Sequence, residues 1–287
     1  MQNTPFSTNK TLNIRGRLIE LDIPKVMGVL NVTPDSFFDG GRYLSETAIL
    51  AQAERMLSEG ADFIDIGGYS SRPGAADISP EEERSRVVGA IDIVLKNFPG
   101  TIISVDTFRS GVAEAAVDAG AVMINDIAGG DLDPEMFTTV SRLKVPYVLM
   151  HMKGNPQTMK EQANYVNIVK ELIDYFHRKV ETLRGLNVKD IIIDPGFGFA
   201  KDIAQNFVVL NNLEKLSILG KPLLVGLSRK SMIWKSLAVD PDQALNGTTA
   251  LNMTALLKGA AILRVHDVKE AREVVKLYRS LQVDMGA

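Results

Sequence analysis

Asp106, Asn125, Asp194, Lys230 and Arg264 are far apart in the chain, yet each stands where a short apolar run turns polar: TIISVD, AVMIND, DIIIDP, LLVGLSRK and AILRVH. Asn31, Asp65, His151, Ser228, Arg229 and His266 occupy equivalent places. One polar residue after an apolar run is ordinary helix-cap or turn chemistry. Its recurrence at every run argues for a ring of ligand contacts. A carboxylate accepts two parallel hydrogen bonds, so Asp106 and Asp194, with the Asn125 amide, suit a neutral heterocycle with an N–C–NH2 edge. Such charge-assisted bonds are worth about 1.5–3 kcal/mol each. Lys230, Arg264 and His266 make a cationic pole suited to phosphate, placed opposite the acids. Asn31 adds a neutral oxygen, and a hard cation held mainly by substrate phosphates needs few protein oxygens. The two poles describe a substrate with a heteroaromatic head and a phosphorylated tail. Asp65 reads as support for a neighbouring loop from inside the fold. His151 reads either as a satisfied core histidine or as a member of the ring.

These residues need elements to hold them. The apolar runs start near Lys25, Asp62, Thr101, Ala121, Pro146, Asp190, Pro222 and Ala261, and they are nearly continuous rather than alternating, as in strands of a parallel sheet covered on both faces. Helical patterns separate them at 46–59, from Ser79-Pro80-Glu81-Glu82 onward, at 109–119, from Asp133-Pro134-Glu135 onward, and at 161–184, 203–217, 243–258 and 267–282. Lys25 to Ala261 is seven steps of about 34 residues, the length of a βα unit. Count and length predict an α/β protein, a single-domain (α/β)8 TIM barrel over 25–287, with a doubly wound sheet as the alternative. Residues 1–24 form an N-terminal extension, a hairpin turning at Asn13-Ile14-Arg15-Gly16. In a barrel of this kind the strand ends are where catalytic groups lie.

Composition narrows the rest. The chain has 287 residues, a formal net charge of −3 and no cysteine. No basic surplus suggests nucleic acid or an anionic membrane, and thiolate chemistry and cysteine-held metals are excluded. No apolar run reaches the roughly 18 residues that span a bilayer. The start, MQNTPFSTNK, does not read as a secretion signal. A cytoplasmic enzyme is expected.

Two early segments have the composition of loops that close over a site, mixing glycine and proline with polar and aromatic residues: Asn31-Val32-Thr33-Pro34-Asp35-Ser36-Phe37-Phe38-Asp39-Gly40-Gly41 and Gly67-Gly68-Tyr69-Ser70-Ser71-Arg72-Pro73-Gly74-Ala75. At these loops the chain resembles the dihydropteroate synthase family, pterin-binding TIM barrels of folate biosynthesis. The resemblance rests on MGVLNVTPDSFFDGG, GADFIDIGGYSSRPGA, SVDTFRSGVAEAAVDAGAVMINDIAGG, MHMKGNPQTM, IIIDPGFGFAKD, LLVGLSRKSMI and LRVHDV, in family order over about residues 25–270.

That resemblance implies a transferase joining 6-hydroxymethyl-7,8-dihydropterin diphosphate to 4-aminobenzoate, giving 7,8-dihydropteroate and diphosphate, with Mg2+, in a homodimer that sulfonamides inhibit. By motif, Asp106, Asn125, Asp194 and Lys230 would hold the pterin, with Ile127, Met150, Phe199 and Gly226 around it. Asn31, Arg264 and His266 would take the diphosphate, Asn31 through the metal. Phe37, Ser71, Arg72, Pro73, Phe199, Ser228 and Lys230 would shape the 4-aminobenzoate site. Asp39, Lys230 and Arg264 would act in an SN1-like reaction through a pterin methylene cation. Tyr69 and Ser71 stand where the family has glutamate and threonine, and Phe38 where it has serine, which bears on the affinity for 4-aminobenzoate and sulfonamides. Two other readings are a non-catalytic pterin-binding module and a Schiff-base aldolase using Lys230.

Overall fold

A computed structural model describes residues 10–33, 42–70 and 77–282. β1 (Thr11–Ile14) and β2 (Arg17–Glu20) pair antiparallel. Their two-residue turn, Arg15 (φ 51°) and Gly16 (φ 83°), has the left-handed pair of angles that matches strand twist in a tight hairpin. The apolar runs follow as β3 (Lys25–Asn31), β4 (Phe63–Gly67), β5 (Ile103–Asp106), β6 (Met123–Asp126), β7 (Tyr147–Met150), β8 (Ile191–Asp194), β9 (Leu223–Val225) and β10 (Ala260–Val265). Each begins within two residues of its expected start. They pair in parallel in chain order, and β10 returns to β3 to close the barrel. The fold is an (α/β)8 barrel rather than an open doubly wound sheet.

Outside the strands lie α1 (Arg42–Ser58), α2 (Pro80–Asn97), α3 (Ser110–Asp118), α4 (Met136–Leu143), α5 (Ile168–Gly185), α6 (Ile203–Asn211), α7 (Ser231–Leu237), α8 (Leu245–Leu257) and α9 (Val268–Gln282). Ser79 caps α2 by accepting from the Glu82 amide (3.1 Å), with Pro80 at the first position. Four helix expectations change, the first being 46–59, which starts earlier, at Arg42. The Asp133 carboxylate accepts from the Ser110 amide at the start of α3 (2.6 Å) and from the Glu135 amide (2.9 Å), so α4 starts only at Met136. The stretch 161–184 begins late, because Asn167 caps α5 and Glu171 turns back onto the amides of Val166 and Asn167. The stretch 203–217 breaks at Asn211 into a 3-10 turn over Leu213–Leu219. The short α7, which Lys230 leads into, lies outside the expected helical stretches. Among the described residues no helix is long and apolar enough to cross a membrane.

Alternation along the strands builds the interior. Val26, Ile64, Ile66, Val105, Leu149, Ile193, Val225 and Leu263 point outward into the core shared with the helices. Met27, Phe63, Met123, Val148, Ile192, Leu224 and Ile262 point inward, and Leu12, Ile14 and Leu21 from the hairpin segment complete that cluster at the N-terminal end of the barrel. Side chains two residues on share a strand face. One step up the same inward face therefore gives Val29, Asp65, Asn125, Met150, Asp194, Gly226 and Arg264.

Candidate active site

Four members of that upper inward layer, Asp65, Asn125, Asp194 and Arg264, are polar, and Asp65, Asn125 and Arg264 meet. Arg264 reaches across the barrel from β10: its Nε donates to Asp65 Oδ2 (2.6 Å) and its Nη2 to Asp106 Oδ2 (2.5 Å). Asn125 Nδ2 donates to the same Asp65 oxygen (2.8 Å). Asp65 is wholly buried, and neither its Oδ1 nor the Oγ of Ser104, its register partner on β5, has a hydrogen-bond partner among the described residues. The expected separation of an acidic and a cationic pole is thus corrected: Arg264 lies against two of the acids. The physical reason is that buried carboxylates need a counter-charge, and the Arg264 side chain is long enough to supply one across the mouth. Asp65 likewise grips Arg264 and Asn125 rather than supporting a loop.

Charge follows burial here. Burial pushes the Asp106 carboxyl up, to about 7, against the pull of Arg264. Burial works against the Arg264 charge too, but Asp65, Asp106 and Asp194 outweigh it and hold the guanidinium above its ordinary value. Asp194 is also raised by burial, opposed by Lys230 and by the Gly196 amide, which donates to its Oδ1 (2.7 Å).

Lys230 stands immediately before α7, and its ammonium donates to the Phe197 carbonyl and sits 4.9 Å from the Phe199 ring centroid. Burial lowers it to about 8, with Asp194 pulling the other way. A Cβ on Gly226 would lie 3.9 Å from that ammonium and 3.8 Å from Arg264 Cβ, so the bare glycine keeps the floor between the two cations open. Ile127 and Met150 are buried in one apolar cluster against which Phe199 packs. Buried Ser228 accepts from the His266 amide (3.2 Å) and lies 3.1 Å from His266 Nδ1. Asn31 ends β3 half-buried, its Oδ1 3.5 Å from where a Cβ on Gly67 would stand. Phe37, Asp39, Ser71, Arg72 and Pro73 lie outside the described residues, as does Phe38.

His151 resolves as a core histidine at the end of β7. It is 2% exposed, edge-to-face with Tyr175, and held neutral by burial and nearby lysines, its pKa down to about 2. Tyr69 stacks edge-to-face on Phe108 and its hydroxyl accepts from Gln157 Nε2 (2.8 Å), which ties the start of the second loop to the segment after β7. Sequence reasoning missed the contacts of Asp65 and the presence of Lys201 beneath the β8–α6 loop. Strand parity with Phe63 agrees with the inward reading of Asp65 but does not name its partners, and Lys201 stands in the IIIDPGFGFAKD segment with no signal that its side chain is buried. A cavity of about 660 Å³ is lined by Asp131, His151, Lys153, Glu171, Tyr175 and Arg178 and by none of Asp65, Asp106, Asn125, Asp194, Lys230 or Arg264.

Such an arrangement can hold a planar polar ring against carboxylates and an anion against a guanidinium within one mouth. Comparison with known proteins agrees. The family model described as pterin binding enzyme matches residues 27–266. The dihydropteroate synthase of Synechocystis sp. is 44% identical over 259 residues, 89% of this chain and 89% of that protein. The enzyme of the same name from Escherichia coli K12 is 40% identical over 92% of this chain and 93% of its own. Among solved structures, Xanthomonas albilineans dihydropteroate synthase with 4-aminobenzoic acid superposes with a TM-score of 0.89 at 39% identity, covering 96% of this chain and 100% of that one. The Yersinia pestis dihydropteroate synthase in a sulfonamide drug complex gives 0.88 at 39% identity, covering 95% and 98%.

Proposed function

The chain belongs to the family of pterin binding enzymes, and from that membership we infer what each group at the barrel mouth does. The protein condenses 6-hydroxymethyl-7,8-dihydropterin diphosphate with 4-aminobenzoate to 7,8-dihydropteroate and diphosphate, a transferase step of folate synthesis. One observation carries the reading: Asp106, Asn125, Asp194, Lys230 and Arg264 crown the C-terminal ends of parallel strands in a single closed barrel.

Asp106 and Asp194 accept from the N–H edges of the pterin, and Asn125, its Nδ2 engaged by Asp65, offers its amide oxygen. Ile127, Met150 and Phe199 wall the ring, and Lys230 donates to it over Gly226. Two of the Arg264 nitrogens are taken by Asp65 and Asp106, which fixes the guanidinium plane and leaves its remaining N–H groups for diphosphate beside His266. By family membership Phe37, Ser71, Arg72 and Pro73 would serve the 4-aminobenzoate site together with Ser228, Phe199 and Lys230, the place a sulfonamide would take. Asn31, ending β3, offers a hard amide oxygen, so it would share Mg2+ with substrate phosphates, which supply most of the oxygens such a cation takes. When bound, it supplies neutralising charge to the leaving diphosphate.

As the carbon–oxygen bond to diphosphate lengthens, positive charge spreads from the methylene into the ring, where the buried carboxylates stabilise it in low dielectric. By family membership Asp39 would act on the same cation. 4-Aminobenzoate attacks with the lone pair of a neutral amine, so no strong base is needed before attack; the C–O bond breaks, the C–N bond forms at the same carbon, and the now acidic N–H proton passes to the departing diphosphate or to water. The test is product formation. Purified protein given both substrates and Mg2+ should release diphosphate in step with 7,8-dihydropteroate. Tight pterin binding with no release would instead favour the non-catalytic binding module.

A further inference from the structure

Lys201 closes the β8–α6 loop, yet its side chain runs inward and the residue is 9% exposed. Its ammonium donates to the carbonyls of Gly196 (3.0 Å) and Phe199 (3.1 Å) and lies 3.1 Å from Nδ1 of His151. In its protonated form Lys201 has no lone pair, so the neutral His151 ring then accepts through Nδ1 and every Lys201 donor is engaged. Among the described residues no carboxylate forms an ion pair with Lys201. Burial pushes it down to about 7; Asp194 pulls it up, while Lys230 and Lys153 push it further down. A methionine would fill such a place without burying charge, so the donors are what the site retains.

The chain around that ammonium is one that would not hold its own shape. Gly196 (φ 70°), Gly198 (φ 80°) and Ala200 (φ 46°) are all left-handed, and Ala200 does so with a side chain. A Cβ at Gly196 would fall 2.1 Å from the His151 carbonyl oxygen. Backbone of this kind persists where its surroundings over-determine it. The same arc presents the site. The Gly196 amide orients Asp194, the Phe197 carbonyl holds Lys230, and the Phe199 ring flanks the Lys230 ammonium.

We propose that Lys201 is a positioning residue for the pterin subsite: its buried ammonium pins the Gly196–Phe199 arc to His151 and so fixes Asp194 and Lys230 in the arrangement that takes the ring. This rests on the reading of the barrel mouth as a pterin site. Lys201→Met in the full chain keeps the unbranched stem and removes the donors. Affinities for 6-hydroxymethyl-7,8-dihydropterin diphosphate, for the same pterin without diphosphate, and for inorganic diphosphate are measured by calorimetry, with kcat and KM alongside. The variant should lose about 10-fold or more in affinity for both pterins by the same factor, lose kcat, and bind inorganic diphosphate as before, since the diphosphate groups are not on the arc. Unchanged pterin affinity overturns the proposal. So does an equal loss for pterin and inorganic diphosphate, the pattern of a loosened barrel. If Lys201→Met does not fold, His151→Phe keeps an aromatic ring beside Tyr175 and removes the Nδ1 acceptor; it must show the same selective loss, and wild-type pterin affinity there overturns the proposal. Wild-type protein that binds pterin without turnover strikes the synthase reading and leaves this comparison intact.

Discussion

Asp65 touches no substrate in the mechanism above, yet it sets the geometry of two residues that do. By accepting from both Arg264 and Asn125 it decides which of their atoms remain to face the mouth. Asp106 shares Arg264 but ends its strand half-buried, and its raised pKa has a consequence for activity. The ionised form pairs with Arg264 and faces the developing cation, so activity should stand above about 7 and fall as pH drops through that value. The measurement is kcat/KM for the pterin diphosphate across pH 5 to 8 in wild type and Asp106→Asn. The variant should lose that acid limb together with much of its rate, and a limb of unchanged position and amplitude would reassign the group. Asp106, Asn125, Asp194 and Lys230 were legible because each ends an apolar run. The Arg264–Asp65 contact was not, because it joins residues 199 apart across a barrel whose radius no local pattern states.

Strands and helices differed in how far they could be read. β3 to β10 are buried on both faces, so apolar composition alone marks them. Helix starts depend on which carboxylate finds which amide. Asp133 looks like a local cap, but tertiary contact turns it onto α3 as well. The hairpin is the element whose role the sequence least announced. Leu12 is wholly buried with Phe63, Ile192 and Ile262 at the end of the barrel away from the polar layer. Residues at that face serve stability, while those at the opposite face serve chemistry. Leu12→Ala should therefore cost about 2–5 kcal/mol in denaturant unfolding with kcat/KM close to wild type. A matching fall in kcat/KM under folding conditions would mean that the two ends of the barrel are not independent.

At the scale of the whole molecule, one closed sheet performs a sorting. Counting in twos along each strand sends apolar residues out to the helices, apolar residues down to the hairpin and polar residues up to the mouth. That is why residues with no sequence proximity form one site, and why the family pattern could be matched segment by segment along the chain. The decisive measurement is 7,8-dihydropteroate formation from both substrates with Mg2+, for wild type and for Asp194→Asn, which keeps an acceptor for the Gly196 amide while removing the charge. Wild type should turn over, and the variant should form product on the order of 10²-fold more slowly at unchanged melting temperature. Equal rates in the two proteins would contradict the assignment of the chemistry to the polar ring at the barrel mouth.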